Sequence, residues 1–167
     1  MATSSPAGAS TQSALISIRP ATQSQPTGAA QTYRIAVSCQ GTGGSQCGPN
    51  LTLTIPLDTS TTPPMTDPSW IYSATAPQVG LITSGPTVVG SDLVMTLDAS
   101  TFVGGFSSTL QIKATPPNLV TPNQTSWEML PTLSGDAIDD AVAPTPAASV
   151  ATAAPKVSVA KSTADGG

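Results

Sequence analysis

Tyr33-Arg-Ile-Ala-Val-Ser-Cys39-Gln-Gly-Thr-Gly-Gly-Ser-Gln-Cys47-Gly-Pro-Asn-Leu51-Thr-Leu-Thr-Ile-Pro-Leu57 decides the fold class. Tyr33, Ile35, Val37 and Cys39 alternate with Arg34, Ala36 and Ser38, and Leu51, Leu53, Ile55 and Leu57 alternate with Thr52, Thr54 and Pro56. A period of two sends successive side chains to opposite faces of a strand, so both runs read as half-buried strands. The Gly/Ser/Gln stretch between them is a loop, and the two runs are expected to pair as antiparallel neighbours across it. Antiparallel strand ends can hold two Cβ atoms about 3.5–4.5 Å apart, the separation a disulfide needs. A Cys39–Cys47 disulfide at a hairpin tip is the expectation, and with it an oxidising compartment. A metal site would need more ligands than two cysteines, and a catalytic thiol would need a base. The chain has no histidine to serve either purpose.

Outward from this stretch the same pattern recurs in short pieces. Ala14–Arg19 is a first strand ended by Pro20, and residues 20–30 are a polar loop. Thr59–Pro68 is a loop, because Pro63, Pro64 and Pro68 cannot donate ladder bonds. Trp70–Thr75, Asp92–Leu97, Ser108–Ala114 and Thr125–Leu133 are strands. Val79–Thr83 and Thr87–Val89 are shorter ones separated by a turn at Ser84-Gly-Pro86, and Ala147–Ala154 is the last. No segment carries a 3.6-residue periodicity. Short strands with frequent turn signals predict an all-β protein, a β-sandwich of immunoglobulin-like or prealbumin-like kind with disordered termini.

Composition agrees. The 167 residues leave room for one ordinary domain with tails. Only 8% are charged, while Gly numbers 14 and Pro 17. Five basic residues against nine acidic ones exclude a nucleic-acid partner, which would call for a basic footprint. No run approaches the roughly 20 apolar residues that span a bilayer. Residues 1–10 lack the basic and apolar regions of a signal peptide, so an export signal is expected outside these residues. Residues 1–13 read as a disordered lead, 14–154 as the sandwich domain, and 155–167 as a linker with the truncated start of a following repeat.

The order of elements resembles a repeat domain of bacterial cell-surface proteins known as domain of unknown function eleven. Tyr33, Ile35 and Val37 match its first element, Leu53, Ile55, Pro56 and Leu57 its second, and Gly105, Ser107, Thr109, Leu110 and Ile112 its third. Pro155–Lys161 looks like the opening of the next repeat, and the cysteine pair resembles a variant of large actinobacterial surface proteins. The chain lacks the family's Asp before Leu-Pro and carries Cys39 where Asn is usual. The resemblance implies a sandwich used in tandem as a stalk or adhesive module, with no family-wide catalytic residue to transfer.

Few residues carry candidate chemistry. Asp136, Asp139 and Asp140 form an acidic cluster that could offer hard oxygen ligands to Ca²⁺, against the plainer reading of a solvated loop. Trp70, Tyr72 and Trp127 could form a sugar- or protein-binding platform, against the reading as core anchors. Lys113 alternates with Leu110 and Ile112 so as to face solvent, which disfavours it as a buried nucleophile. No nucleophile elbow or phosphate loop is present, and neither an enzyme nor a cofactor is expected. The expected function is a non-enzymatic structural or adhesive module at a bacterial cell surface or wall. It would act as a spacer in a tandem array, its partners being neighbouring repeats of its own chain and host or cell-wall glycans or proteins. The alternative is a carbohydrate- or protein-binding module that uses exposed aromatics.

Overall fold

The two alternating runs around the cysteines are strands of different sheets. The computed structural model describes residues 13–40, 48, 50–100, 105–118, 124–136 and 138–153. Strand β3 (Gln31–Gln40) lies between β1 (Ser13–Arg19) and β8 (Phe106–Thr115), and β5 (Ile71–Thr75) completes a four-stranded antiparallel sheet in the order β1-β3-β8-β5. Strand β4 (Leu51–Pro56) lies between β10 (Thr132–Gly135) and β7 (Asp92–Leu97). With β11 (Ile138–Val142) and β6 (Ile82–Val89) it makes a five-stranded sheet in the order β11-β10-β4-β7-β6. The expected hairpin pairing of β3 with β4 is therefore not formed; the residues 41–47 between them lie outside the described residues. Alternation tells which side chains are buried, and both strands bury their odd-numbered residues, but it does not choose the hydrogen-bonding partner.

The inward residues of the two sheets form one core. Ile16, Ile18, Tyr33, Ile35, Val37, Leu110 and Ile112 belong to a single buried cluster with Leu51, Leu53, Ile55, Leu93, Met95, Leu97 and Leu133. Each such aliphatic side chain contributes about 1.5–3 kcal/mol relative to exposure. The protein is an all-β, immunoglobulin-like sandwich.

A third sheet was not foreseen. Strand β2 (Thr22–Pro26) runs parallel to β12 (Ala147–Thr152), which in turn runs antiparallel to β9 (Gln124–Met129). Residues 20–30 read as loop because β2 has no buried residue on either face. It is a strand because β12 supplies its ladder. Prolines mark the corners where the chain changes sheet. Pro20 separates β1 from β2, and Pro131 separates β9 from β10, so the strand expected over Thr125–Leu133 is two strands. An imide nitrogen cannot extend the ladder, which suits both positions.

Three further expectations need correction. Residues 79–89 do not form two strands around a turn. Instead β6 continues through Ser84-Gly-Pro86, with register shifts against β7 on either side. Gly85 permits this: its φ is +89°, and a Cβ there would fall 2.5 Å from the carbonyl oxygen of Val94. Residues Ile138–Val142 are a strand rather than part of a solvated loop. Ser13, assigned to the lead, opens β1; residues 1–12 and the tail from 154 onward lie outside the described residues.

Candidate functional site

The aromatic residues singled out in the sequence do come together, but inside the molecule. Trp70 precedes β5 and Tyr72 lies within it, two residues apart on the inward face, and their rings stack with centroids 6.4 Å apart. Trp127 on β9 meets Trp70 edge-on at 4.9 Å. Trp70 is 4% exposed and Trp127 2%, too little to offer a stacking face to a ligand. The platform of exposed aromatics is corrected accordingly: these rings join the third sheet to the four-stranded one. In a chain so poor in aromatic residues, burying these three rings fills the space where the sheets meet.

Their polar atoms are turned to protein acceptors. The Trp70 indole N–H donates to Pro63 O at 3.1 Å, and the Tyr72 hydroxyl donates to Met65 O at 2.7 Å. Both acceptors belong to the Thr/Pro-rich segment between β4 and β5, so the aromatic pair anchors that loop. Thr61 closes it further by donating its Oγ1 to Pro63 O at 2.9 Å. Met65, 0% exposed, plugs its inner side.

Tyr33 is the hub. Its hydroxyl accepts from Trp127 Nε1 at 2.9 Å and shares a 2.5 Å hydrogen bond with Ser149 Oγ on β12. Beside it Gln31 donates Nε2 to Val150 O at 3.0 Å. Burial pushes the Tyr33 phenol above its ordinary range, against hydrogen bonds to Ser149, Trp127 and Gln23 that act the other way. Burial likewise raises Tyr72, with a smaller electrostatic contribution from Tyr33. The arrangement holds both phenols neutral and fixes one sheet to another. Sequence reading placed Tyr33 inward but had no local signal for Ser149, which lies 116 residues away.

The acidic cluster is dispersed. Asp139 and Asp140 are consecutive residues of β11, so their side chains leave opposite faces, and Asp136 stands in the turn before the strand. All three are exposed. Among the described residues no group of three or more His, Cys, Asp or Glu side chains converges on a metal-sized space. The acids with a clear structural task are others. Asp58, Asp67 and Asp98 each accept from the backbone N–H two residues on, at 2.8 Å in every case. Asp-x-Ser recurs at all three places, Asp58-Thr-Ser60, Asp67-Pro-Ser69 and Asp98-Ala-Ser100, and is a legible turn signal that the sequence reading missed. The serine hydroxyl first and its backbone N–H second hold the Asp67 and Asp98 carboxyls below the usual carboxylate range.

Cys39 is 1% exposed at the end of β3 and is not a free thiol. Cys47 lies outside the described residues. Lys113 is exposed on β8, as its alternation implied. Among the described residues no helix is long and apolar enough to cross a membrane.

No family model matches the chain, and no curated protein matches it. The resemblance to the surface-repeat family thus rests on the motif residues alone. Among solved structures the chain is similar to BcpA, the major pilin subunit of Bacillus cereus, at 11% identity over 84% of this chain and 40% of that one, with a TM-score of 0.48. It is similar to the full-length major pilin SpaD of Corynebacterium diphtheriae at 13% identity over 83% and 33%, with a TM-score of 0.46. It is also similar to AvmM, which catalyses macrocyclization in alchivemycin A biosynthesis, at 10% identity over 87% and 91%, with a TM-score of 0.40. The chain spans less than half the length of either pilin. These are likenesses of fold, and pilins and an enzyme stand side by side among them.

Proposed function

We propose that this chain is a non-enzymatic structural module of a bacterial cell-surface protein, a spacer within a tandem array. The folded unit would begin at Ser13 and run to residue 154, with Pro155–Lys161 the opening of the next. One observation carries the reading. The apolar residues that match the surface-repeat motifs are core positions of the two main sheets, whereas Pro56, Gly105, Ser107 and Thr109 are exposed. Tyr33, Ile35, Val37, Leu110 and Ile112 come from one side, and Leu53 and Ile55 from the other. The apolar part of the motif is spent on holding two layers together. The aromatics that could have bound a ligand are spent the same way, in the network around Tyr33. A module of this kind works by being stiff and by presenting its outer surface outside the cell, in the compartment where a Cys39–Cys47 disulfide persists. Neighbouring repeats are its first partners.

The test is geometric. Two copies of the whole chain joined end to end should give, in small-angle scattering, a maximum dimension close to twice that of one copy. A joined pair that collapses to the dimension of a single compact particle would overturn the spacer reading.

A further inference from the structure

Charge is sorted between the sheets. Arg19 on β1, Arg34 on β3 and Lys113 on β8 are the cations of the described residues, and none of the strands β1, β3, β8 and β5 contains an acid. Asp92, Asp139 and Asp140 belong to the five-stranded sheet and Glu128 to the third. The chain as a whole carries a net charge of −4. Among the described residues the cations thus share one sheet, against the sign of the chain as a whole.

All three cations leave the outer face. Ile18, Tyr33, Ile35, Ile112 and Ala114 point into the core, so Arg19, Arg34 and Lys113 point away from it, and all three are exposed. Arg19 is directly opposite Arg34 in the β1–β3 register. Across β8, Arg34 is opposite Gln111 and Thr32 is opposite Lys113, which makes Lys113 the diagonal neighbour of Arg34. Direct cross-strand partners stand about 4.5–5.5 Å apart at Cβ and diagonal ones about 7–8 Å. Like charges directly opposite each other are destabilising, and no carboxylate on these four strands offsets the Arg19–Arg34 pair. A shallow depression of about 720 Å³ crosses it, lined by Ser17, Arg19, Thr32, Arg34, Ala36 and Thr109 among others.

We propose that this outer face binds an acidic polysaccharide, one carboxylate seated between Arg19 and Arg34 and a second near Lys113. The guanidinium fork matches a carboxylate with two parallel hydrogen bonds. The surrounding serine and threonine hydroxyls and the Gln111 amide suit the hydroxyls of a sugar chain. A row of cations running across three strands fits a linear polymer with repeated charge better than the dispersed acids of a second copy. The site goes beyond the spacer reading and does not depend on it.

The probe is a polygalacturonate hexamer titrated against the full chain, with a neutral dextran oligomer alongside. Binding to the acidic oligomer alone is expected, weakening as salt screens the charges. Arg19→Gln/Arg34→Gln should lower affinity by about tenfold or more. Lys156→Gln/Lys161→Gln, which changes net charge by the same amount, should leave it unchanged. The Arg19 and Arg34 side chains are exposed, and unchanged thermal midpoints would confirm folding in both variants. The proposal falls if the parent chain does not bind, if the two double variants lose affinity equally, or if dextran or a DNA oligonucleotide binds as well. Self-association abolished by Arg19→Gln/Arg34→Gln would also overturn it, assigning the face to a second copy.

Discussion

The Trp127 indole N–H donates to the Tyr33 hydroxyl at 2.9 Å, and this one bond ties the third sheet to the four-stranded sheet across 94 residues of sequence. The same hydroxyl reaches Ser149 on β12. Removing it leaves a buried indole donor and a buried serine without their partner. Tyr33→Phe should therefore destabilise the fold by about 1–3 kcal/mol, the cost of unsatisfied buried groups. Ser149→Ala should cost less, because Tyr33 keeps Trp127. Urea unfolding with an unchanged denaturant slope checks both, and a Tyr33→Phe variant as stable as the parent would refute the network's role.

Alkaline behaviour follows from the two phenols, which are the only tyrosines of the chain. Both have folded values raised above the ordinary 10.0, chiefly by burial. A raised folded value means that the neutral form is favoured in the native state. The stability it contributes is complete below pH 10 and is lost as pH rises from there toward the folded values. Phenolate absorbance should stay flat through the ordinary tyrosine range and then rise together with the loss of circular dichroism. A smooth titration centred on pH 10 with the fold intact would contradict this.

At the acid end the sign reverses. Asp67 and Asp98 have folded values below the ordinary 3.8, held there by the hydroxyls and N–H groups of Ser69 and Ser100. Their contribution is present above that value and is lost as pH falls through the lower folded ones. Asp67→Asn/Asp98→Asn retains a carbonyl acceptor for each turn but cannot titrate. Its stability should lie slightly below the parent's at neutral pH, converge with it in acid and depend less steeply on pH below about 4. Parallel acid limbs for the two proteins would dismiss these turns as a source of acid sensitivity.

A bridge from Cys39 to Cys47 would close a short loop between β3 and β4. Reduction, or Cys39→Ala/Cys47→Ala, should then lower stability by about 2–3 kcal/mol in the chain-entropy account. The intact mass of protein from an oxidising compartment should be two hydrogens below the reduced form. A count of two free thiols in such material would rule the bridge out.

Side-chain alternation was the reliable guide, and its reach can be stated residue by residue. It placed Tyr33, Ile35, Val37, Leu51, Leu53 and Ile55 in the core, where they are. It could not say that β3 and β4 face each other across the core instead of pairing, because burial alternates identically in either arrangement. It missed β2, whose Thr-Gln-Ser-Gln-Pro carries no apolar period, since that strand exists through a partner 126 residues further on: Thr22 pairs with Ala148. It also broke β6 at Pro86, where a register shift accommodates the proline instead. The aromatics were legible as a group but not as a network, because the atoms that satisfy Trp70, Tyr72 and Trp127 are backbone carbonyls and a distant phenol. The cationic face was hidden for a related reason. Arg19, Arg34 and Lys113 are scattered in the sequence, and only the register brings them side by side.

The parallel ladder between β2 and β12 has a consequence for how the molecule is made. A chain emerging from the ribosome or an export channel exposes residues 22–26 early, and their ladder partner is residues 148–152. The second strand must therefore wait, unzipped, until nearly all of the domain has been delivered. The same holds for the hydroxyl of Tyr33, whose bond to Ser149 comes from that last strand. A nascent domain stopped short of β12 would therefore lack both its third sheet and the lock at its hub. Such non-local pairings slow folding, and here they postpone the closing of the third sheet until β12 has been delivered.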